Sequence, residues 1–256
     1  MYREFIFRPR SKHGERIYPE DARRLTAAAL DGFGIDPGIF HRDEFGKTRQ
    51  GVVEFMGPGI QPGVVFDSGL GFIRLYGIGP AGADLLEAQA SKILRGLTAA
   101  MGPTSCEIKE GFCTLDDNPE KGSVYFIRKM VVAKKPVRIQ KYFRTPIEQV
   151  RDDIARTIAR GLLSTASLLD GQDLGRGAED KARNLVGRLP YEKSIIIKSG
   201  EPCPVMIAPG IAASGYQHVE FFMPARISGP WQAGLLRSRG YGFVRLSNPN
   251  FERRRA

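Results

Sequence analysis

Acid–base chemistry in this chain has few side chains to draw on. Three histidines, His13, His41 and His218, occur in 256 residues, and imidazole is the group whose ordinary pKa suits proton transfer near neutrality. His218 falls in an alternating run that reads as a strand, where a structural role is the simpler reading. His41 follows the first helix in a loop beside Arg42 and is the better candidate base. No G-x-S-x-G, H-E-x-x-H or Walker A sequence occurs, and no cluster has metal-ligand spacing. The acid pairs Asp116-Asp117 and Asp152-Asp153 are adjacent, so their side chains diverge; they read as a loop and an exposed helix face. Cys106, Cys113 and Cys203 lack C-x-x-C spacing and indicate neither a disulfide framework nor zinc. No cofactor is expected. Gly77-Ile-Gly79-Pro-Ala-Gly82 has the form and context of a dinucleotide fingerprint. No further β-α-β units follow it to build a doubly wound sheet, so a glycine turn into a helix is preferred. A nucleotide-binding enzyme using Gly77–Gly82 is the remote alternative.

The densest chemistry lies near the end of the chain, in Arg226–Leu246. It holds four glycines (Gly229, Gly234, Gly240, Gly242), four arginines (Arg226, Arg237, Arg239, Arg245) and the sole tryptophan, Trp231. Glycine lets a backbone or a phosphate come close, and arginine forks onto phosphate. A glycine-rich, arginine-studded loop feeding a strand can hold a polyanion backbone. Arg239-Gly-Tyr-Gly-Phe-Val-Arg-Leu246 also matches the RNA-recognition consensus except at its last position. Aromatics in that octet stack on bases; the competing reading is a sharp turn with Tyr241 and Phe243 packed in a core. Only ten residues follow Leu246, too few for the helix and strand that complete an ordinary RNA-recognition module.

The charge balance points the same way. A net charge of +10 and a pI near 9.7 favour anionic partners, nucleic acid foremost. No run approaches the roughly 18 apolar residues of a membrane span, and Met1–Arg8 lacks a signal-peptide core. A cytoplasmic protein without a membrane partner is expected.

The elements that position these residues read as an α+β fold. A strand at Arg3–Arg8, a helix at Tyr18–Leu30, strands near Gly51–Met56 and Leu70–Tyr76, a helix at about Ala83–Met101 and a strand at Thr104–Ile108 give β-α-β-β-α-β, the ferredoxin-like order. The first domain is placed at 1–110 and the second at 111–256. The second opens with a strand at Ser123–Ala133. A helical insertion over about 145–189 follows, its first helix started by the capping box Thr145-Pro-Ile-Glu148. Ile147, Val150, Ile154, Ile158 and Leu162 form the apolar stripe, with Arg156 and Arg160 opposite. A second helix near Ala178–Arg188 carries Lys181, Arg183 and Arg188. This hairpin is either a solvated face or a finger that grips RNA. Strands return at Ser194–Lys198, Gln217–Met223 and Gly242–Ser247, after a glycine-rich loop at about 229–242. The basic tail Arg253–Arg255 is a candidate for disorder.

Two ferredoxin-like (RRM-like) halves, a strongly basic chain and the loop Gly234-Leu-Leu-Arg-Ser-Arg-Gly-Tyr-Gly-Phe-Val244 resemble the RAMP superfamily. Within it the chain is most similar to the CRISPR repeat-processing endoribonucleases, and the arginine-rich insertion resembles their type IV branch. The resemblance implies metal-independent cleavage of CRISPR precursor RNA beside the repeat stem-loop. A ribose 2′-OH attacks the adjacent phosphate, and the mature crRNA stays bound and joins other CRISPR effector subunits. It also implies a histidine near the end of the first helix, but Leu30–Gly34 holds none and His41 lies several residues on. The catalytic candidates are therefore Arg23, His41, Arg42 and Arg239, the arginines as phosphate clamps and charge stabilisers. The RNA-binding candidates are Arg144, Arg151, Arg156, Arg160, Arg176, Arg183, Arg188, Arg237, Tyr241, Phe243 and Arg245. A non-catalytic RNA-binding subunit of the same superfamily is the alternative function.

Overall fold

The computed structural model describes residues 1–40, 63–116, 122–133, 147–169, 195–208, 211–224, 226–234 and 240–247. The expected strand at Gly51–Met56, the helix at Ala178–Arg188 and the tail Arg253–Arg255 lie outside them. The chain divides into two compact units: residues 1–113 with 164–178 and 237–240, and residues 114–163 with 179–236 and 241–256.

The first unit runs β1 (Tyr2–Pro9), α1 (Pro19–Ala29), β2 (Val64–Gly69), β3 (Phe72–Ile78), α2 (Gly79–Met101) and β4 (Thr104–Gly111). Its sheet order is β2-β3-β1-β4 with antiparallel neighbours, the ferredoxin-like arrangement. Pro19 opens α1, Glu20 and Asp21 follow where the helix dipole favours acids, and Ala22, Thr26 and Ala29 turn inward. Phe5, Phe7, Phe66, Leu75, Leu86, Ile93 and Leu97 join them in one core. β2 is a strand that periodicity does not reveal: Val64, Val65 and Phe66 are all buried, so no polar alternation marks it.

α2 begins at Gly79, four residues before the expected Ala83, and takes in most of the G-x-G-x-x-G motif. A methyl group on Gly77 would lie 2.7 Å from the Ala83 Cα, and one on Gly82 would overlap the Gly63 carbonyl oxygen. The Gly79 amide donates to the Met1 carbonyl at 3.1 Å. These glycines let strand, helix and the Gly63 turn approach backbone to backbone, a packing role of the kind expected of a glycine turn into a helix.

The second unit holds β5 (Thr114–Asp116), β6 (Ser123–Ala133), the first part of α3 (Ile147–Leu169), β7 (Ile196–Pro202), β8 (Val205–Ala208), β9 (Ile211–Met223), β10 (Arg226–Ser228) and β11 (Val244–Leu246). Its sheet order is β11-β6-β9-β7, with β8 added on β9 and β10 paired with β5. Taking β6, β7, β9 and β11 as first to fourth strands reproduces the order of the first unit. The fold is thus α+β with two ferredoxin-like halves. Among the described residues no helix joins β9 to β11. Val150, Ile154, Ile158 and Leu162 of α3 pack on Tyr125, Ile127, Val219, Phe221 and Trp231. Trp231 is 1% exposed and meets Tyr125 and Phe221 edge-on at 5.9 and 6.3 Å, a geometry that aromatic quadrupoles favour.

Candidate nucleic-acid interface

Within the second unit, the two ends of the glycine-rich loop pair as a two-stranded arm. The Ala233 amide donates to the Gly242 carbonyl at 2.8 Å, the Val244 amide to Trp231 at 3.1 Å, and Gln232 bridges Phe243. The Gly242 amide donates to the Lys129 carbonyl at 2.8 Å, tying the arm to β6. Gly242 has φ 78°, and a methyl group there would overlap the Ala233 carbonyl oxygen. Only glycine fits this crossing point. Buried Trp231 anchors one side of the arm and buried Val244 the other.

Within the first unit, the end of the loop meets α1. Gly240, at φ 83°, sits so close to the first turn that a methyl group would lie 2.8 Å from the Glu20 nitrogen and overlap the Pro19 carbonyl oxygen. Arg23 stands one helical turn after Pro19, hence on the same face. Its guanidinium lies 5.5 Å over the Phe40 ring, a favourable cation–π placement. The structure therefore brings Arg23 and the residue following Arg239 to the same end of α1. Sequence spacing gave no sign of this, because the two are far apart in the chain. His41 and Arg42 follow Phe40 directly in the chain and lie outside the described residues, as does Arg239.

The remaining candidates fall in separate places. Arg151, Arg156 and Arg160 are exposed on the outer side of α3. Arg156 pairs with Asp153 at 2.8 Å, a half-exposed contact that a phosphate can displace at small cost. Tyr241 packs beside Val131, Val205 and Ala213, with the Lys129 ammonium 5.9 Å over its ring. Phe243 is 9% exposed and carries the Arg245 guanidinium at 5.5 Å. A ring so buried supports the arginine above it, and Arg245 is the exposed group of that pair. Arg144, Arg176, Arg183, Arg188 and Arg237 lie outside the described residues. Sequence reasoning did not single out Phe40, Gly240 as a packing glycine, or Phe126, an aromatic at the outward position of β6 that the alternation Tyr125-Phe126-Ile127 could have flagged.

Several thiols and phenols are shifted by their surroundings. Burial pushes the Cys113 thiol up to about 11 and lifts Cys106 and Tyr125; the Tyr125 hydroxyl accepts the Ile227 amide at 2.7 Å. Among the described residues no three His, Cys, Asp or Glu side chains gather as a metal site, and no helix is long and apolar enough to cross a membrane.

A family model for the type IV CRISPR-associated endonuclease Csf5 matches residues 3–248. Among solved structures, one described as Csf5, a CRISPR-Cas type IV Cas6 crRNA endonuclease, is 19% identical with a TM-score of 0.62 and covers 96% of this chain and 99% of its own. A crystal structure of Cas6b is 14% identical with a TM-score of 0.56, covering 96% of this chain and 100% of its own. A second structure, described as the CRISPR RNA processing endoribonuclease Cas6b, is 14% identical with a TM-score of 0.51, covering 96% and 100%. At these identities the likeness is one of fold. No curated protein matches the sequence.

Proposed function

The chain belongs to the type IV CRISPR-associated endonuclease family, and from that premise we propose that it cuts CRISPR precursor RNA beside a repeat stem-loop by attack of the RNA's own 2′-OH. The observation that carries this reading is the seat of Gly240 on the first turn of α1, one turn from Arg23. A glycine-rich backbone and a helix-borne guanidinium at one place are what a scissile phosphate requires. Gly240 packs against the first turn and fixes the end of the loop to the helix, and the cation stabilises charge that grows on the phosphorane.

The reaction asks little else of the protein. The 2′-oxygen gives up its proton and bonds to phosphorus, the bond to the 5′-oxygen breaks and that oxygen takes up a proton from solvent, so a cyclic phosphate and a free 5′-OH result. Holding the attacking oxygen, phosphorus and leaving oxygen in line removes much of the entropic barrier. Arg23 and Arg239 act as clamps and charge stabilisers, since a guanidinium stays protonated and cannot take the 2′-proton. His41, with Arg42 beside it, supplies the base, a contribution of roughly 10²–10⁴-fold. Arg151, Arg156 and Arg160 on α3 and Arg245 on β11 hold the phosphates around the hairpin. Retention of the mature crRNA for assembly with other effector subunits follows from these contacts, which cleavage leaves in place.

The test is single-turnover cleavage of a labelled hairpin-repeat RNA in EDTA. The reading expects one discrete cut, and a rate about 10²–10³ lower for Arg23→Ala, in line with loss of one transition-state contact. Tight binding with no cut would replace it with the non-catalytic RNA-binding subunit.

A further inference from the structure

The second unit's sheet has one face under α3 and another turned away from it. Tyr125, Ile127, Val219 and Phe221 belong to the core beneath the helix. Strand alternation therefore sends Phe126, Arg128, Glu220 and Phe222 to the opposite face. The registers place Arg245 beside Phe126, Phe126 beside Glu220, and Phe222 between Val124 and Ile196. Ile196 is 56% exposed, an apolar side chain left in solvent at the edge of this surface.

His218 stands in the middle of it. Its side chain is 55% exposed, its ring lies parallel to Phe126 at 6.4 Å, and its Nδ1 is 3.4 Å from Glu201. Its backbone is at φ 52°, the only non-glycine positive φ among the described residues. The β6–β9 register passes from Ile127↔Val219 to Lys129↔Gln217, skipping the pair at His218, and the β7–β9 register shifts beside it. A bulge re-aims a side chain, and a left-handed backbone is disfavoured for a histidine. Core packing gains nothing from an exposed imidazole. Arg128, Arg245 and Lys198 frame the aromatic pair against the carboxylates Glu201 and Glu220, and Lys198 pairs with Glu220 at 3.7 Å. Stacked rings set among arginine and lysine side chains complement unpaired nucleotides, whose bases offer π-faces and whose phosphates offer charge.

We propose that the Phe126–His218 face of this sheet is a stacking platform for unpaired nucleotides that flank the RNA hairpin. The inference rests on the reading that the chain binds such an RNA. It adds a second contact region, in which Arg245 works beside two rings that lie outside the glycine-arginine stretch.

Two RNAs separate the inference from its premise: a bare hairpin, and the same hairpin with six unpaired nucleotides at its base. Wild-type protein should bind the flanked RNA about tenfold or more tightly, as stacking of one or two bases supplies. Phe126→Ala and His218→Asn should each cut that ratio to about twofold or less while leaving bare-hairpin affinity unchanged. Asparagine is chosen because it accepts positive φ and keeps the bulge; unaltered hairpin affinity certifies the fold of each variant. A ratio near one in the wild type, or a ratio that both variants preserve, overturns the platform and leaves the proposed function standing. Failure of the wild type to bind either RNA overturns the proposed function and the platform with it.

Discussion

Replacing Gly240 with alanine isolates the contact on which the functional reading depends. Two costs add. At φ 83° an L-residue carries a left-handed penalty of about 1–2 kcal/mol. The new methyl group would also overlap the Pro19 carbonyl oxygen and lie 2.8 Å from the Glu20 nitrogen, both backbone atoms of a helix that cannot turn aside. Overpacking of that kind costs a further ~1–3 kcal/mol. Gly32 is the matched control: its φ is 78° with nothing within 4 Å of an added methyl, so Gly32→Ala carries the first cost alone. Urea unfolding followed by far-UV circular dichroism should place Gly240→Ala at least ~1 kcal/mol below Gly32→Ala if the loop stays seated. If the loop instead lifts from α1, stability is spared and cleavage falls at least tenfold, with hairpin binding changed far less. Equal stability of the two variants together with wild-type cleavage by Gly240→Ala would refute the packing argument and the site built on it.

Gly161→Ala should show an inverted sign. Alanine normally stabilises a helix interior by about 1 kcal/mol over glycine, but here a methyl group would lie 2.6 Å from the Ala233 Cα. A net loss of about 1–2 kcal/mol is expected, read from the emission of the single, buried Trp231 during denaturation; a gain would contradict the close approach. Arg156→Ala and Arg160→Ala should each lower the slope of log affinity against log salt by about one if the residue neutralises a phosphate. An unchanged slope returns that arginine to a solvated surface. Stability should decline in alkali. The folded Cys113 thiol titrates at about 11 and the unfolded one near the ordinary ~8.5, so above that the unfolded state loses its proton first. Thermal midpoints should fall from about pH 8.5 to 11, and Cys113→Ser should make the fall shallower; a flat profile would contradict the burial of the thiol.

What the sequence shows and what it hides divide along locality. Pro19 with the acids after it, the Leu86-Ile93-Leu97 stripe of α2 and the β6 run from Ser123 are local signals, and the elements form where they point. Val64–Phe66 escaped notice because a strand buried on both faces has no alternation to read. The early start of α2 and the use of Gly77 and Gly82 depend on Gly63, a partner that no local window contains. The expected ferredoxin-like second half is present in its strand order, although among the described residues no helix links β9 to β11. Of the site, residue types were legible and their assembly was not. Arg23 could be named from its helix, whereas the seat of Gly240 on that helix is a contact across most of the chain. His218 was readable as a strand residue, yet its positive φ, its stack on Phe126 and the β7–β9 register shifts beside it are visible only once the strands are paired.

The most direct test of the central claim is removal of one oxygen from the RNA. A hairpin-repeat substrate with a single 2′-deoxy at the nucleotide before the cut would be compared with the all-ribose RNA, in EDTA, with the product ends analysed. The account predicts one cut in the ribose RNA leaving a cyclic phosphate and a 5′-OH, no cut in the deoxy RNA, and binding of both within about twofold. Cleavage of the deoxy RNA at the same position, or products ending in a 5′-phosphate and 3′-OH, would contradict it.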